Sequence, residues 1–199
     1  MRQQEDILIL GAGIGGLTLA LSLHQAGIPC RVYEAVAELK PLGVGVNLLP
    51  HAVRELTELG LLPALDAVAV RTSESVFFTS HGQKVFSEPA GLAAGYDWPQ
   101  FSIHRGDLQT VLLAAVKERL GADRVVCDRR CVGVEQDESG VVARFADADG
   151  QPVESVRGAL AVACDGIHSV VRKAFYPNEG APRYSGVNMW RGTARWKPF

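Results

Sequence analysis

A glycine-rich segment near the start of the chain carries the clearest chemical signal in the sequence. It has the pattern G-x-G-x-x-G and consists of Gly11, Ala12, Gly13, Ile14, Gly15 and Gly16. The segment follows a short apolar run and opens a longer one, and Glu34 ends the next apolar run. In this context the glycines permit a tight turn and a close approach to a pyrophosphate, and the carboxylate can bind both ribose hydroxyls. Because a carboxylate would repel a 2′-phosphate, the site predicts FAD or NAD rather than NADP.

Two more polar segments stand where α/β sheets bind their ligands. Arg105 opens an amphipathic helix, where a cation opposes the helix dipole and needs an anionic partner. That partner is either Asp107 or another carboxylate, in a salt bridge, or a phosphate or ribose of the cofactor. Asp165 and Gly166 end an apolar run, which suits either hydrogen bonds to a sugar alcohol or an Asp-Gly turn followed by a helix cap. These residues alone decide neither question.

The periodicity of apolar residues predicts the elements that position these segments. Strand Asp6–Leu10, helix Ile14–Ala26 and strand Cys30–Glu34 form a βαβ unit. Apolar residues at helical spacing from Leu108 to Leu120 predict a helix. The remaining predictions are a loop or edge segment at 43–50, an amphipathic stretch at 52–59, a hairpin of 75–79 with 84–87, a loop at 90–100, strands at 124–127, 131–136, 141–145, 160–164 and 187–196, and a helix that begins at 169–175. Alternating strands and helices indicate an α/β fold.

Composition narrows the class of protein. The chain has 199 residues, 47% of them hydrophobic, and a formal net charge of −2 without a long like-charge block. Nucleic-acid binding is therefore not expected. Glycines interrupt the apolar segment Ile7–Leu23, and Glu5 and Asp6 precede it, so neither a membrane span nor a signal peptide is predicted. The four cysteines and five histidines are dispersed, which predicts reduced thiols in a cytoplasmic protein, no metal site and no catalytic triad.

Taken together, four segments resemble a known family. They are GAGIGG with Glu34, GVGVNLLPHAVRELTELGL, HRGDLQTVL and CDGIHSVVR, in this order. The combination is similar to the FAD-dependent aromatic hydroxylases, the class A flavoprotein monooxygenases. Within that family, the amino-acid sequences of the segments most resemble the phenazine-modifying members. The resemblance implies a FAD-binding, Rossmann-like parallel sheet with a small antiparallel excursion, followed by the beginning of a mostly β substrate domain. The expected boundaries are 1–180 for the FAD-binding domain, with the excursion near 73–103, and 181–199 for the first strand of the substrate domain.

The resemblance also implies roles for individual residues. The glycine-rich segment surrounds the pyrophosphate, Glu34 holds the ribose, and Arg105 contacts the phosphate or ribityl region of the flavin. The backbone of Cys131 meets the adenine. Asp165 and Gly166 form a motif that helps to bind both the flavin and the nicotinamide nucleotide. The loop with Gly45, Val46 and Asn47 lies beside the isoalloxazine ring, and Asn47 faces the substrate.

The function implied by the resemblance is hydroxylation of an aromatic or N-heteroaromatic ring, such as a phenazine. NADH or NADPH reduces FAD, O2 reacts to form a flavin C4a-hydroperoxide, and no side chain serves as a nucleophile. Family members carry a second flavin motif with Gly-Asp and a helical C-terminal part, which this sequence lacks. The chain is therefore expected to be the N-terminal portion of such an enzyme. A non-catalytic flavin-binding module and an NAD-dependent dehydrogenase remain as alternatives, and homo-oligomer formation is left open.

Overall fold

The computed structural model describes residues 6–190, which fall into two compact units. Of the described residues, the first unit comprises 6–40 and 112–189, and the second comprises 41–111 with Trp190. The second unit contains the segment 73–103 that was expected as an excursion.

Strands and short helices alternate along the described residues. The strands are β1 (Ile7–Leu10), β2 (Cys30–Tyr33), β3 (Gly45–Leu48), β4 (Val70–Thr72), β5 (Glu74–Phe78), β6 (Lys84–Pro89), β7 (Gln100–His104), β8 (Val125–Val126), β9 (Arg130–Asp137), β10 (Gly140–Ala146), β11 (Pro152–Gly158) and β12 (Leu160–Ala163). The α-helices are α1 (Ile14–Gln25), α2 (Pro50–Glu58), α3 (Leu62–Asp66), α4 (Arg105–Leu120) and α5 (Val170–Phe175).

A four-stranded parallel sheet in the order β12-β1-β2-β8 forms the base of the first unit. Leu8 in the central strand β1 pairs with Ala161 of β12 on one side and Arg31 of β2 on the other. Leu8 to Leu10 are almost completely buried, as an apolar central strand of a parallel sheet should be. Because the strands are parallel, the carboxyl ends of β1, β2 and β12 meet at one edge, where α1 also begins.

A three-stranded antiparallel sheet, β11-β10-β9, belongs to the same unit. A shared core joins the two sheets and consists of Leu8, Leu10, Tyr33, Val141, Ala143 and Phe145. The rings of Tyr33 and Phe145 stack with their centroids 4.7 Å apart, a favourable aromatic arrangement. This packing fixes β9 against the parallel sheet.

The second unit is built on a three-stranded antiparallel sheet, β3-β7-β4, and a separate hairpin of β5 and β6. Phe101 and Ile103 of β7 are buried, together with Val53 and Leu56 of α2. The helix α2 begins at Pro50, a residue whose fixed φ and missing N–H suit the first helical turn.

Most of the predicted elements are confirmed, with ends shifted by a few residues. The sequence patterns missed β4, α3 and β11 and did not predict β7, whose residues were taken as the end of a loop and the approach to a helix. In β11 a register shift opposite Ala143 and Phe145 breaks the simple alternation of apolar residues.

The strand predicted at 187–196 is wrong for its described part. Residues 187–190 have no strand structure, and the rest of the predicted strand lies outside the described residues. Val187, Met189 and Trp190 are 71%, 69% and 96% exposed. A strand needs a hydrogen-bonded neighbour, and none pairs with 187–190 among the described residues.

No helix within residues 6–190 combines the length and the apolar character that crossing a membrane requires. The same residues contain no cluster of three or more histidine, cysteine or acidic side chains placed to bind a metal ion.

Candidate functional site

The turn between β1 and α1 depends on two glycines. Gly11 has a φ of +115°, and a Cβ added there would lie 2.4 Å from the carbonyl oxygen of Cys164. A Cβ on Gly16 would lie 1.9 Å from the carbonyl oxygen of Gly11. Both contacts are with main chain that cannot move aside, so these positions exclude a side chain. The turn therefore holds the start of α1 tightly against β1 and β12.

Gly13 differs from these two glycines because its surroundings are open. It precedes the first residue of α1, no side chain caps the helix there, and a Cβ added to it would meet nothing within 4 Å. The uncapped N–H groups and the positive end of the helix dipole form a place where an anion can bind. Ile14 and Gly15 continue this first turn.

Glu34 reaches back from the end of β2 to the glycine-rich turn. One carboxylate oxygen accepts a hydrogen bond from the N–H of Ala12 at 2.7 Å, and the other accepts one from the N–H of Val36 at 3.1 Å. A carboxylate can accept about four hydrogen bonds. Glu34 therefore fixes the turn and keeps capacity for the hydroxyls of a ribose.

Asp165 follows β12 and has one satisfied and one unsatisfied oxygen. Its Oδ2 accepts a hydrogen bond from the N–H of Val170 at 2.9 Å, and Ser169 Oγ accepts one from the N–H of Arg172 at 3.0 Å. Both side chains thus cap the start of α5. Asp165 Oδ1 is buried without a hydrogen-bond partner among the described residues. Such an atom is costly unless a ligand supplies a donor.

These groups surround one cavity of about 350 Å³ in the first unit. Of the predicted site residues, it brings together Gly11, Gly13, Glu34, Cys131, Asp165 and Gly166. Gly16 lies beneath it in the packing of the turn, and Ile14 and Gly15 lie outside its lining.

Two arginines on the cavity wall were missed by the sequence analysis. Arg129 and Arg130 precede Cys131 and line the cavity, and neither forms an ion pair with an acidic side chain within residues 6–190. The main-chain N–H of Arg129 donates to the carbonyl of Glu34 at 2.8 Å. The adjacent pair RR at the start of a strand was the available signal, but only the main-chain hydrogen bond between Arg129 and Glu34 in the folded chain places it beside Glu34.

The two thiols in the cavity are held in the neutral form. Burial raises the pKa of Cys164, and the charge of Asp165 raises it further. Burial also raises the pKa of Cys131, with a smaller opposing effect from a hydrogen bond with the backbone of Gly133. Because the thiolate is the reactive form of cysteine, neither residue is suited to act as a nucleophile.

The remaining predicted residues belong to the second unit. Gly45, Val46 and Asn47 form most of β3 and pair with His104, Ile103 and Ser102 of β7. Arg105 is the first residue of α4, and its N–H donates to the carbonyl of Val44 at 3.0 Å. A Cβ on Gly43, whose φ is +129°, would lie 3.1 Å from the Cβ of Arg105. Within the described chain, the Arg105 side chain has no carboxylate partner, so the salt bridge to Asp107 does not form.

Comparison with known proteins identifies the family of this chain. The model of the FAD binding domain family matches residues 4–185. The chain belongs to this family. Membership favours FAD over NAD as the dinucleotide of the βαβ unit, which answers the question that the glycine pattern left open.

Named members of the family show what this chain is similar to. It is 43% identical over 191 residues to the phenazine 1,6-dicarboxylic acid hydroxylase PhzS of Lysobacter antibioticus, covering 95% of this chain and 47% of that protein. It is 35% identical over 189 residues to the 3-amino-4-hydroxybenzoate 2-monooxygenase of Streptomyces cremeus, covering 94% of this chain and 45% of that protein. The chain thus spans about half the length of these relatives.

A solved family structure shares the fold. The R204Q variant of HpxO from Klebsiella pneumoniae, determined in complex with FAD, matches with a TM-score of 0.71 and 28% identity over 86% of this chain and 42% of HpxO.

The residues of the cavity fit FAD on physical grounds. The open surface at Gly13 can take a pyrophosphate, the carboxylate of Glu34 can accept from a ribose, and the buried Oδ1 of Asp165 needs a donor such as a hydroxyl. FAD carries a pyrophosphate and free hydroxyl groups, so it can satisfy all three of these sites.

Proposed function

We propose that this chain supplies the FAD-binding part of a monooxygenase that uses NADH or NADPH and O2 to hydroxylate an aromatic or N-heteroaromatic ring. The observation that carries the proposal is the cavity in the first unit, where Gly13, Glu34 and the unpartnered oxygen of Asp165 surround one space. Its donors and acceptors suit a dinucleotide with free ribose hydroxyls.

In this proposal the side chains bind and orient the cofactor rather than react. Gly13 and the N–H groups of α1 hold the pyrophosphate, Glu34 accepts from the adenosine ribose, and the backbone of Cys131 meets the adenine. Asp165 and Gly166 bind a polyol portion of the cofactor, and Arg105 binds a phosphate or ribityl group. Gly45, Val46 and Asn47 lie beside the ring system, with Asn47 towards the substrate. When bound, FAD supplies the electron transfer and oxygen activation that amino-acid side chains cannot.

The substrate class is proposed from the relatives. PhzS is named for a phenazine dicarboxylic acid, and the Streptomyces protein for an amino-hydroxybenzoate. Both are electron-rich or heteroaromatic rings that carry polar substituents. We propose a small aromatic compound of this kind, and a cytoplasmic setting in which the four cysteines stay reduced.

Visible absorption of the purified protein tests FAD binding, because bound oxidised flavin absorbs near 450 nm whereas bound NAD does not. Oxidation of NADH and of NADPH is then followed with and without a phenazine carboxylate, with hydrogen peroxide measured alongside. Stimulated nucleotide oxidation with formation of a hydroxylated product supports the proposed activity.

Two other outcomes separate the alternatives. Flavin binding without any nucleotide oxidation would identify a flavin-binding module. A colourless protein that still binds NAD would overturn the proposal.

A further inference from the structure

A second cavity, of about 580 Å³, lies wholly within residues 41–111. Its walls include the amides of Asn47 and Gln100, the aromatic side chains of Tyr96 and Trp98, and the guanidinium of Arg54. None of these residues lines the cavity assigned to FAD.

Gln100 is the unusual member of this wall. It is only 9% exposed, and its side-chain amide has no hydrogen-bond partner within residues 6–190. The loop before β7 packs against the main chain of this residue, since a Cβ on Gly91 would lie 2.5 Å from the backbone N of Gln100. Neither polar atom of this amide is fully buried, so both open into the cavity. Because Gln100 lines the cavity, a ligand there can supply the missing bonds.

Asn47 adds a second amide whose orientation is fixed. Its Oδ1 accepts a hydrogen bond from Ser102 Oγ at 2.9 Å, and the Ser102 hydroxyl is 2.9 Å from Thr72 Oγ1. This row of side chains crosses the sheet β3-β7-β4 and engages the oxygen of Asn47. The amide NH2 of Asn47 is then left as a donor at the cavity wall.

Trp98 provides a flat wall, and the charges near it are balanced. The guanidinium carbon of Arg54 lies 5.8 Å from the centroid of the Trp98 ring, a cation–π arrangement that helps fix the indole. Arg54 Nε donates to Glu55 at 3.0 Å and lies 4.0 Å from Glu58. Two carboxylates therefore offset its charge, and Glu88 also lines the cavity. Arg54 is thus paired with carboxylates of the chain itself, so this wall recognises the ring of a ligand rather than an acidic substituent.

We infer that the second cavity binds a planar heteroaromatic ring whose edge carries a hydrogen-bond donor next to an acceptor. Such an edge pairs with both the carbonyl and the NH2 of the Gln100 side chain, as glutamine amides do with the edge of adenine. Trp98 offers its face to the ring. This inference rests on the proposed function only in taking the ring to be the substrate, because the binding site itself needs no flavin.

The test compares two probes that differ at the recognised edge. 2-Quinolone has an adjacent N–H and C=O, whereas quinoline has the same two fused rings with only an acceptor nitrogen. Isothermal titration of the 199-residue protein should show 2-quinolone binding roughly tenfold tighter than quinoline, the order of magnitude of one or two well-formed hydrogen bonds.

Substitution at position 100 should remove that preference. Gln100→Met keeps the size of the side chain but has no amide, so the ratio of the two affinities should fall to about one. Gln83→Met is the matched control, because Gln83 is exposed in the hairpin turn and lies outside the cavity lining; it should keep the ratio of the parent.

The ratio is informative because a general loss of folding would weaken both probes alike. An unchanged preference in Gln100→Met, or no binding of either probe to the parent, would overturn the inference. Absorption at 450 nm is recorded for each sample. Ring binding without flavin would overturn the proposed function alone, and flavin binding without a ring preference would overturn this inference alone.

Discussion

At the scale of the residue, neighbouring glycines of one motif are required for different reasons. Gly11 and Gly16 are required because main-chain atoms occupy the space that a Cβ would need. Gly13 and Gly15 have no atom within 4 Å of an added Cβ. The first pair therefore concerns packing of the turn, whereas Gly13 leaves room for a ligand.

Gly16→Ala should destabilise the fold, and Gly15→Ala should not. An added Cβ at Gly16 would lie 1.9 Å from the Gly11 oxygen, and overpacking of this kind costs about 1–3 kcal/mol or more. At Gly15, inside α1 and exposed, alanine should raise stability by up to ~1 kcal/mol. Urea unfolding of the two variants measures both effects. Equal stabilities would contradict the packing of this turn.

The second residue-scale prediction concerns Glu34. Glu34→Lys replaces an acceptor of the Ala12 N–H by a donor, so FAD affinity should fall by roughly tenfold to a hundredfold, the value of a charge-assisted hydrogen bond of ~1.5–3 kcal/mol. Fluorescence titration with FAD measures the affinity. Glu38→Lys makes the same charge change at an exposed position paired with Lys40 and should have little effect. Equal flavin binding in both variants would remove Glu34 from the site.

At the scale of the element, the start of α4 holds a cation where the helix dipole disfavours one. Arg105 is the first residue of the helix, and the described chain offers its guanidinium no carboxylate partner. The loop 41–43 packs closely on this end, since a Cβ on Gly106 would lie 2.7 Å from the carbonyl carbon of Pro41. Because Arg105 has no carboxylate partner at this helix end, an anion of the cofactor is favoured as its partner over a salt bridge within the chain.

Arg105→Ala should therefore move stability and FAD affinity in opposite directions. Removal of a cation from a helix N-terminus should stabilise the chain by about 0.3–1 kcal/mol. FAD affinity should fall, and more at low salt than at high, because screening weakens an exposed cation–phosphate pair. Lys117→Ala in the last turn of the same helix is the charge-matched control and should leave FAD affinity unchanged. Lower stability with unchanged affinity would restore a purely structural role.

At the scale of the whole molecule, burial of titratable groups ties stability to pH. Burial is the largest cause of a raised pKa in all four cysteines, Cys30, Cys127, Cys131 and Cys164, and in Tyr33. Each group therefore holds its proton more tightly in the folded chain than in the unfolded chain. Folding is then coupled to proton retention at alkaline pH.

The free energy of unfolding should fall as the pH rises above about 8.5, the ordinary pKa of a thiol. Below that value both states are protonated, and the stabilisation is fully present. Above it the unfolded chain loses protons first, so stability falls until the folded groups also titrate. Urea unfolding between pH 7 and 10, with a reducing agent present, measures this dependence. Replacing Cys131 and Cys164 by alanine should flatten the slope, and a stability that rises over this range would contradict the account.

The sequence by itself determined the βαβ unit and its glycine turn, because these depend on residues that are close along the chain. An apolar strand, a glycine turn and a helix follow from local spacing, and the place of Glu34 at the end of the next strand predicted that it lies beside this turn. The parallel order β12-β1-β2-β8 and the position of Asp165 beside Gly11 were decided by pairing between segments about 150 residues apart. Local patterns carry no direct record of such pairing. For the same reason only the tertiary structure placed Arg129 and Arg130 beside Glu34, left Arg105 without a carboxylate, and packed the loop at Gly91 against the main chain of Gln100.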